Sequence, residues 1–280
     1  MPKSAKAKAR ETVPPPLPEP LAVPVADSHT HLDMQQGATV EEALAKAASV
    51  GVTRIVQVGC DLPGSRWAAA AAAEHEAIWA AVALHPNEAP RLDEAGTLDA
   101  ALAEIAELAA RHEVRALGET GLDYYRTGPE GVAAQQRSFR RHIELAKELD
   151  KTLMIHDRDA HADVLRILRE EGAPRRTVFH CFSGDVAMVK ECAEQGYFMS
   201  FAGNVTFASA QPLRDALAAA PPELLLVETD APFLTPAPFR GRPNAPYLIP
   251  VTLRAMAEVK GMSEEELARH VAANNVRAFG

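Results

Sequence analysis

Cysteine is scarce: only Cys60, Cys181 and Cys192 occur in 280 residues, too few and too odd in number for a disulfide framework. No C-x-x-C pair is present, which argues against a zinc site built from thiolates. Cys60 and Cys181, at the ends of apolar runs, are therefore expected to serve as small buried apolar residues. Aromatic residues make up only 5% of the chain, so an extended platform for stacking many bases is excluded. No apolar run approaches the length of a membrane-spanning helix. The basic N-terminus lacks the apolar stretch of a secretory signal, which leaves a reducing cytoplasm as the expected compartment. There is also no dense basic stripe, and the formal charge of −9 argues against a protein that coats nucleic acid by bulk electrostatics. An enzyme that meets phosphate through bound ions is still allowed, because two divalent ions bring roughly four positive charges to one point.

What is present suits one large domain. Hydrophobic residues at 47% and charged residues at 24% describe a globular chain able to bury a substantial core. Residues 1–22 differ from the rest. MPKSAKAKAR is small, basic and polar, and ETVPPPLPEPLAVP is rich in proline. This composition predicts a disordered, solvated tail with polyproline-II character. Lys3, Lys6, Lys8 and Arg10 could also make it a weak anchor for phosphate backbones. Residues 23–280 form the expected domain.

From Val25 onward, continuous apolar runs alternate with helical segments. The runs are Val23–Ala26, RIVQVGC, Ala77–Leu84, Val114–Leu117, Leu153–Ile155, Thr177–Phe179, YFMSF and Leu224–Val227. Runs of this kind fit parallel strands buried on both faces. Between them fall helices expected over Pro63–His75, Leu98–His112, Pro129–Leu149, Ala160–Glu171, Val186–Gln195 and Gln211–Ala220. Thr39 with Glu42 and Ser263 with Glu266 have the spacing of capping boxes. Tyr247–Lys260 and Ser263–Phe279 read as two further C-terminal helices.

Six of the eight runs end on a histidine or a carboxylate: His29 and His31, His85, Glu119, His156, His180, and Glu228 with Asp230. An open doubly wound sheet gathers its site from the few strands at a switch point. A closed barrel directs all strand ends to one mouth. The expected fold is therefore a TIM-type (β/α)8 barrel, regular or distorted, and the expected chemistry is metal-dependent hydrolysis.

His29 and His31 lie two residues apart, so on a strand both imidazoles face one side and can share an ion. The other five of the ten histidines, His75, His112, His142, His161 and His270, fall in helical segments among charged neighbours and are expected at the surface. His85 precedes Pro86, so it is either a structural corner residue or part of the site. Both oxygens of Glu119 can accept coordination, and VRALGETGLD contains no lysine that could bridge two ions instead. The alternative is a buried glutamate paired with Arg115 or Arg126. Asp230 could bind one ion and hold a water. Glu228, on the same face, either joins the site itself or, as the leading expectation, orients a ligand from behind.

HTHLD at 29–33, LHP at 84–86, GETGLDYY at 118–125, IHDRDA at 155–160, HCFSG at 180–184 and ETDAPFLTPAPFRGRPNAP at 228–246 together resemble the signature set of the TatD family. These are metal-dependent deoxyribonucleases on an amidohydrolase-like barrel. The resemblance runs from about Asp27 to the end of the chain and leaves the first two dozen residues unexplained. It implies that His29, His31 and Asp230 hold one divalent ion, that His156 and His180 hold a second, and that Glu119 lies between them. Mg²⁺ or Mn²⁺ is the implied metal, and imidazole-rich ligation also suits Zn²⁺. Water made acidic by the cations would attack a phosphodiester. Asp230 would orient or deprotonate that water, and His85 would protonate the leaving oxygen or touch the scissile phosphate.

Arg158, Ser183, Arg240 and Arg242 are the expected phosphate contacts, and Tyr124 with Tyr125 the expected stacking surface. Each could equally be a surface salt bridge or loop packing. The resemblance further implies trimming of single-stranded DNA from the 3′ end, a role in DNA repair, and DNA as the partner without a membrane or an obligate protein. The competing enzyme class is ester or amide hydrolysis, by an amidohydrolase, a lactonase or a deacylase of D-aminoacyl-tRNA. The same activated water could attack a carbonyl.

Overall fold

Each apolar run with its following amphipathic segment folds into a strand and a helix packed on its outer face. The computed structural model describes residues 13–35 and 37–280. Eight parallel strands follow one another in sequence order. They are β1 (Val25–Thr30), β2 (Val52–Gly59), β3 (Ile78–Val82), β4 (Val114–Asp123), β5 (Thr152–Arg158), β6 (Thr177–Phe179), β7 (Phe198–Phe201) and β8 (Leu225–Val227). The ring is drawn together just past β8, where Thr30 bridges Ala231. There His31 N–H donates to the Ala231 carbonyl at 2.8 Å and Asp230 N–H donates to the His29 carbonyl at 2.9 Å. Buried Asp27 reinforces the seam by accepting from Thr229 N–H at 2.9 Å. The expected TIM barrel is present, made irregular by strands as short as the three residues of β6 and of β8.

The helices are α1 (Val40–Ser49), α2 (Leu62–Glu74), α3 (Ala89–Glu94), α4 (Leu98–Ala109), α5 (Val132–Glu148), α6 (His161–Glu171), α7 (Val186–Gln195), α8 (Gln211–Ala219), α9 (Ile249–Lys260) and α10 (Glu264–Phe279). Thr39 and Glu42 form both halves of a capping box on α1, and the Ser263 hydroxyl accepts from Glu266 N–H at the start of α10. Such caps satisfy amides that the first helical turn leaves without partners. Helix α10 lies beneath the N-terminal ends of the strands. Asn274 donates to the Leu225 carbonyl at 2.8 Å, Thr152 bonds to the Ala278 carbonyl, and Phe279 meets Trp79. That end is therefore plugged, and the polar end of the barrel is the opposite one. Among the described residues no helix is long and apolar enough to cross a membrane.

Three differences from the sequence expectations matter. Strand β4 does not stop at Leu117 but runs on to Asp123, because its glycines allow close contact with β5. A Cβ on Gly118 would lie 2.4 Å from Met154 Cβ, and one on Gly121 would lie 2.1 Å from the His156 carbonyl oxygen; Gly121 also has φ +140°. Second, His142 is not at the surface. It is fully buried, with Leu84 N–H donating to Nε2 at 3.2 Å and Nδ1 bonded to the Ser138 carbonyl at 2.8 Å. The spacing Phe139, His142, Ile143, Ala146 puts it on the buried face of α5, while its charged sequence neighbours point outward.

Third, the proline-rich stretch within the expected tail is not simply solvated. Its carbonyls accept from side chains of the barrel: Arg242 Nε to Val13 at 2.9 Å, Tyr247 Oη to Pro15 at 2.8 Å, and Arg254 to Glu19 at 2.8 Å. Leu21 is buried, and its N–H donates to the Val50 carbonyl at 3.1 Å. Prolines cannot donate, but their carbonyls still accept, and the barrel supplies the donors. Lys3, Lys6, Lys8 and Arg10 lie outside the described residues.

Candidate metal centre

The strand ends at the open mouth bring His29, His31, His85, Glu119, His156, His180 and Asp230 into one cluster. His29 Nε2 and His31 Nε2 are 3.1 Å apart. Glu119 Oε1 lies 3.8 and 3.7 Å from these two nitrogens, and Asp230 Oδ1 lies 3.8 and 3.6 Å from them. The second oxygen of Glu119 faces the other way. Its Oε2 is 3.0 Å from His156 Nδ1 and 2.7 Å from His180 Nε2, with His85 Nε2 at 3.9 Å. Glu119 thus presents a separate oxygen to each of two imidazole pairs.

The far side of each ring is also held. His31 Nδ1 lies 3.0 Å from the Val58 carbonyl, so that nitrogen carries a proton and Nε2 is the one turned toward the centre. His180 Nδ1 lies 3.3 Å from Glu228 Oε1, and Glu228 is itself fixed by Cys181 N–H at 2.9 Å. His156 Nε2 lies 3.2 Å from Asp123 Oδ2, which leaves Nδ1 toward Glu119. His29 Nδ1 abuts Met154 Sδ at 3.1 Å. Backing of this kind fixes tautomer and ring angle in metal-binding histidines.

Electrostatically the cluster favours cations. Burial alone would lower the pKa of His31, but Asp230 and Glu119 outweigh it and raise it to about 9. Burial, with the charge of His180, holds His29 well below its ordinary value, which makes it a neutral nitrogen donor. Burial would raise the pKa of Glu119, yet His180 and His85, with hydrogen bonds from His156 and His180, keep it well below the carboxylate range. His85 is different. Burial brings it down to about 4, and its Nδ1 accepts from Asn87 N–H at 3.1 Å. It is therefore a neutral imidazole whose proton sits on Nε2, toward Glu119.

Buried imidazoles and carboxylates converging on one mouth fit the chemistry of divalent metal binding. Two of the triads that can hold an ion share Glu119: His29–His31–Glu119 and Glu119–His156–His180. Asp230 completes the first by its distances to His29 and His31.

Three participants were missed by sequence reasoning. Asp123 is buried and accepts from Tyr125 N–H at 3.1 Å, Arg126 N–H at 2.9 Å and Asn87 Nδ2 at 3.2 Å, besides its bond to His156. Its signal was the period-two spacing Glu119, Gly121, Asp123, visible only if the strand continues. Asn87 also accepts from the Thr127 hydroxyl at 3.0 Å, which ties the β3 and β4 loops together. Cys60 is not an apolar filler: its thiol donates to Glu119 Oε1 at 3.3 Å.

The expected substrate contacts divide. Arg158 stacks over the exposed ring of Tyr125 at 3.9 Å, and the Ser183 hydroxyl donates to the Asp157 carbonyl at 3.2 Å. Tyr124 is half-buried, and its hydroxyl donates to Asp163 Oδ2 at 2.7 Å while accepting from Gln136, which ties it to α5 and α6. Arg240 lies over Phe207 at 4.4 Å. Arg242 binds the N-terminal carbonyls of Val13 and Pro14.

Comparisons with known proteins bear on the family and the fold. The family model described as TatD related DNase matches residues 26–280. The chain is 46% identical over 263 residues to an uncharacterized metal-dependent hydrolase TatD of Mycobacterium tuberculosis, covering 91% of this chain and 98% of that protein. It is 40% identical to the uncharacterized metal-dependent hydrolase YabD of Bacillus subtilis, over 90% of this chain and 98% of the relative. Among solved structures, the TatD homolog YjjV of Escherichia coli superposes with a TM-score of 0.83 at 28% identity, covering 91% of this chain and 97% of that one.

Proposed function

The chain belongs to the family of TatD related DNases and is a metal-dependent hydrolase, and from that premise we propose that it hydrolyses phosphodiester bonds of DNA with two divalent ions. The observation that carries this reading is the division of Glu119, with Oε1 toward His29 and His31 and Oε2 toward His156 and His180. His29, His31 and Asp230 would hold one ion, His156 and His180 the other, and Glu119 both. The ions would polarise a phosphate oxygen and acidify water. Mg²⁺ or Mn²⁺ is the proposed pair, with Zn²⁺ as the competing occupant.

The chain's own groups supply the rest. Asp230 Oδ1, beside both first-site histidines, orients the attacking water and takes up its proton. His85 donates a hydrogen bond from Nε2–H to the phosphate or the leaving oxygen. Its neutral state makes it a donor to the developing charge rather than a standing cation. Arg158, stacked on Tyr125, supplies a positive charge beside an aromatic ring at the mouth, which suits a substrate of phosphates and bases. Ser183 and Arg240 lie on the surrounding loops as further phosphate contacts, and Arg242 could join them only by exchanging its N-terminal carbonyl partners. Tyr124, with its hydroxyl bound between Asp163 and Gln136, leaves the stacking role to the exposed Tyr125. A short mouth of this kind favours a few terminal nucleotides, and the family resemblance, not the geometry, adds single-stranded DNA, the 3′ end and trimming during repair.

The test is a chelator-controlled assay with each metal added back, on DNA labelled at the 5′ or 3′ end, single-stranded, duplex or with an abasic site, run beside an aminoacyl-ester substrate. Shortening of the single strand from its 3′ end, lost with chelator and regained with Mg²⁺ or Mn²⁺, is the expected result. Ester hydrolysis without cleavage of any DNA would overturn the proposal in favour of acyl hydrolysis.

A further inference from the structure

Of the large hydrophobic residues exposed among the described residues, only Tyr125 and Phe233 are aromatic, at 65% and 52% exposure. Both stand at the mouth. Tyr125 follows Asp123, which holds His156, so it belongs to the side of the centre served by Glu119 Oε2. Phe233 belongs to the other side: its ring meets that of His31 edge-on at 6.2 Å. The Arg158 guanidinium already lies against the Tyr125 ring, so that ring has a partner on one face although Tyr125 is the more exposed residue of the two.

The backbone beneath Phe233 is pinned. Its N–H donates to the Asp230 carbonyl at 2.8 Å. Buried Asn244 donates from Nδ2 to the Thr229 carbonyl at 2.9 Å and also to the Phe233 carbonyl. The loop thus holds an apolar ring in solvent at a fixed distance from the metal ligands, at the cost of its hydration. A single exposed apolar ring is ordinary, but one held on a pinned backbone beside His31 is suited to meet a flat apolar ligand at the mouth.

Resting on the proposed function, we propose that Phe233 is the stacking face for the nucleobase next to the scissile phosphate, on the His29–His31 side. It would position that phosphate between the two imidazole pairs. Every base offers a π-face, so the contact selects unpaired nucleotides over duplex without selecting sequence.

The experiment pairs a protein substitution with a substrate deletion, using metal-loaded enzyme. Oligonucleotides carry either a normal base or a base-free tetrahydrofuran at each nucleotide flanking the cut. Phe233→Ala should raise KM for the base-bearing strand about ten- to hundredfold, with kcat little changed. One of the base-free strands should already show that loss with the wild type, and the substitution should then add little. Phe233→Tyr should restore KM, and Phe233→Leu should not. With chelated protein, 2-aminopurine at the same nucleotide should be quenched on binding to the wild type and not to Phe233→Ala. Equal losses on base-bearing and base-free strands, or rescue by leucine as full as by tyrosine, would overturn the stacking role while leaving the nuclease reading intact. Absence of DNA cleavage by the wild type would overturn the proposed function, and this inference with it.

Discussion

Replacing Asp123 by asparagine removes one charge while keeping the shape of the side chain. In the wild type, Oδ1 accepts from the amides of Tyr125 and Arg126 at 3.1 and 2.9 Å, and Oδ2 faces Asn87 Nδ2 and His156 Nε2, both at 3.2 Å. The asparagine oxygen must stay with the two backbone donors, so its NH2 group turns toward Asn87 and His156. A donor then opposes the proton on His156 Nε2. The ring escapes by moving that proton to Nδ1, the nitrogen facing Glu119 Oε2 at 3.0 Å. A proton there occupies the lone pair that a metal needs. Losing a partner of this kind costs about 10- to 100-fold in metal affinity, or about 1.4–2.8 kcal/mol. Calorimetric titration of Mn²⁺ into chelator-stripped protein should therefore show one weakened site and one unchanged, with far-ultraviolet circular dichroism unaltered. Two sites of wild-type affinity in Asp123→Asn would refute the argument that Asp123 sets the tautomer of His156.

Three further outcomes follow from particular residues. Burial lowers the His142 pKa from 6.5 to about 4, so between those values the unfolded chain binds more protons than the folded one. Stability should be full above about pH 6.5 and fall by up to about 3 kcal/mol toward pH 4, and urea unfolding of His142→Gln at pH 7 and pH 5 should show a smaller drop than the wild type. Gly121→Ala would force a side chain into φ +140° and to within 2.1 Å of the His156 carbonyl; a loss of more than about 3 kcal/mol, seen as a lowered thermal midpoint or insolubility, is expected. Tyr247→Phe deletes the hydrogen bond to Pro15 and should cost about 0.5–1.5 kcal/mol, with proteolysis near Pro15 becoming faster and the hydrolytic centre untouched.

The barrel was readable because parallel strands sheathed by helices must be apolar on both faces, which leaves ligands conspicuous where strands stop. His29 with His31, Glu119, His156, His180 and Asp230 were found in that way, and the structure draws them into one cluster. What stayed hidden depends on partners distant in sequence. Asp123 looked like a loop residue because two glycines disguise the continuation of β4. His142 looked solvated because its sequence neighbours are charged, although the helical period separates its face from theirs. Cys60 looked inert because nothing local reveals that its thiol reaches Glu119, 59 residues away. The proline-rich segment looked solvated because its donors, on Arg242, Tyr247 and Arg254, come from more than 200 residues later. Phe233 was read as part of a motif, and its exposure became visible only with the loop folded.

The bridging role proposed for Glu119 is tested most directly by titrating Mn²⁺ into chelator-stripped protein while following cleavage of a labelled single-stranded oligonucleotide. Two equivalents should bind, and activity should rise only as the second is taken up. Glu119→Ala should lose turnover with its fold intact and fail to retain two tightly bound ions. Full activity at one equivalent, or near wild-type cleavage by Glu119→Ala, would contradict the two-ion account.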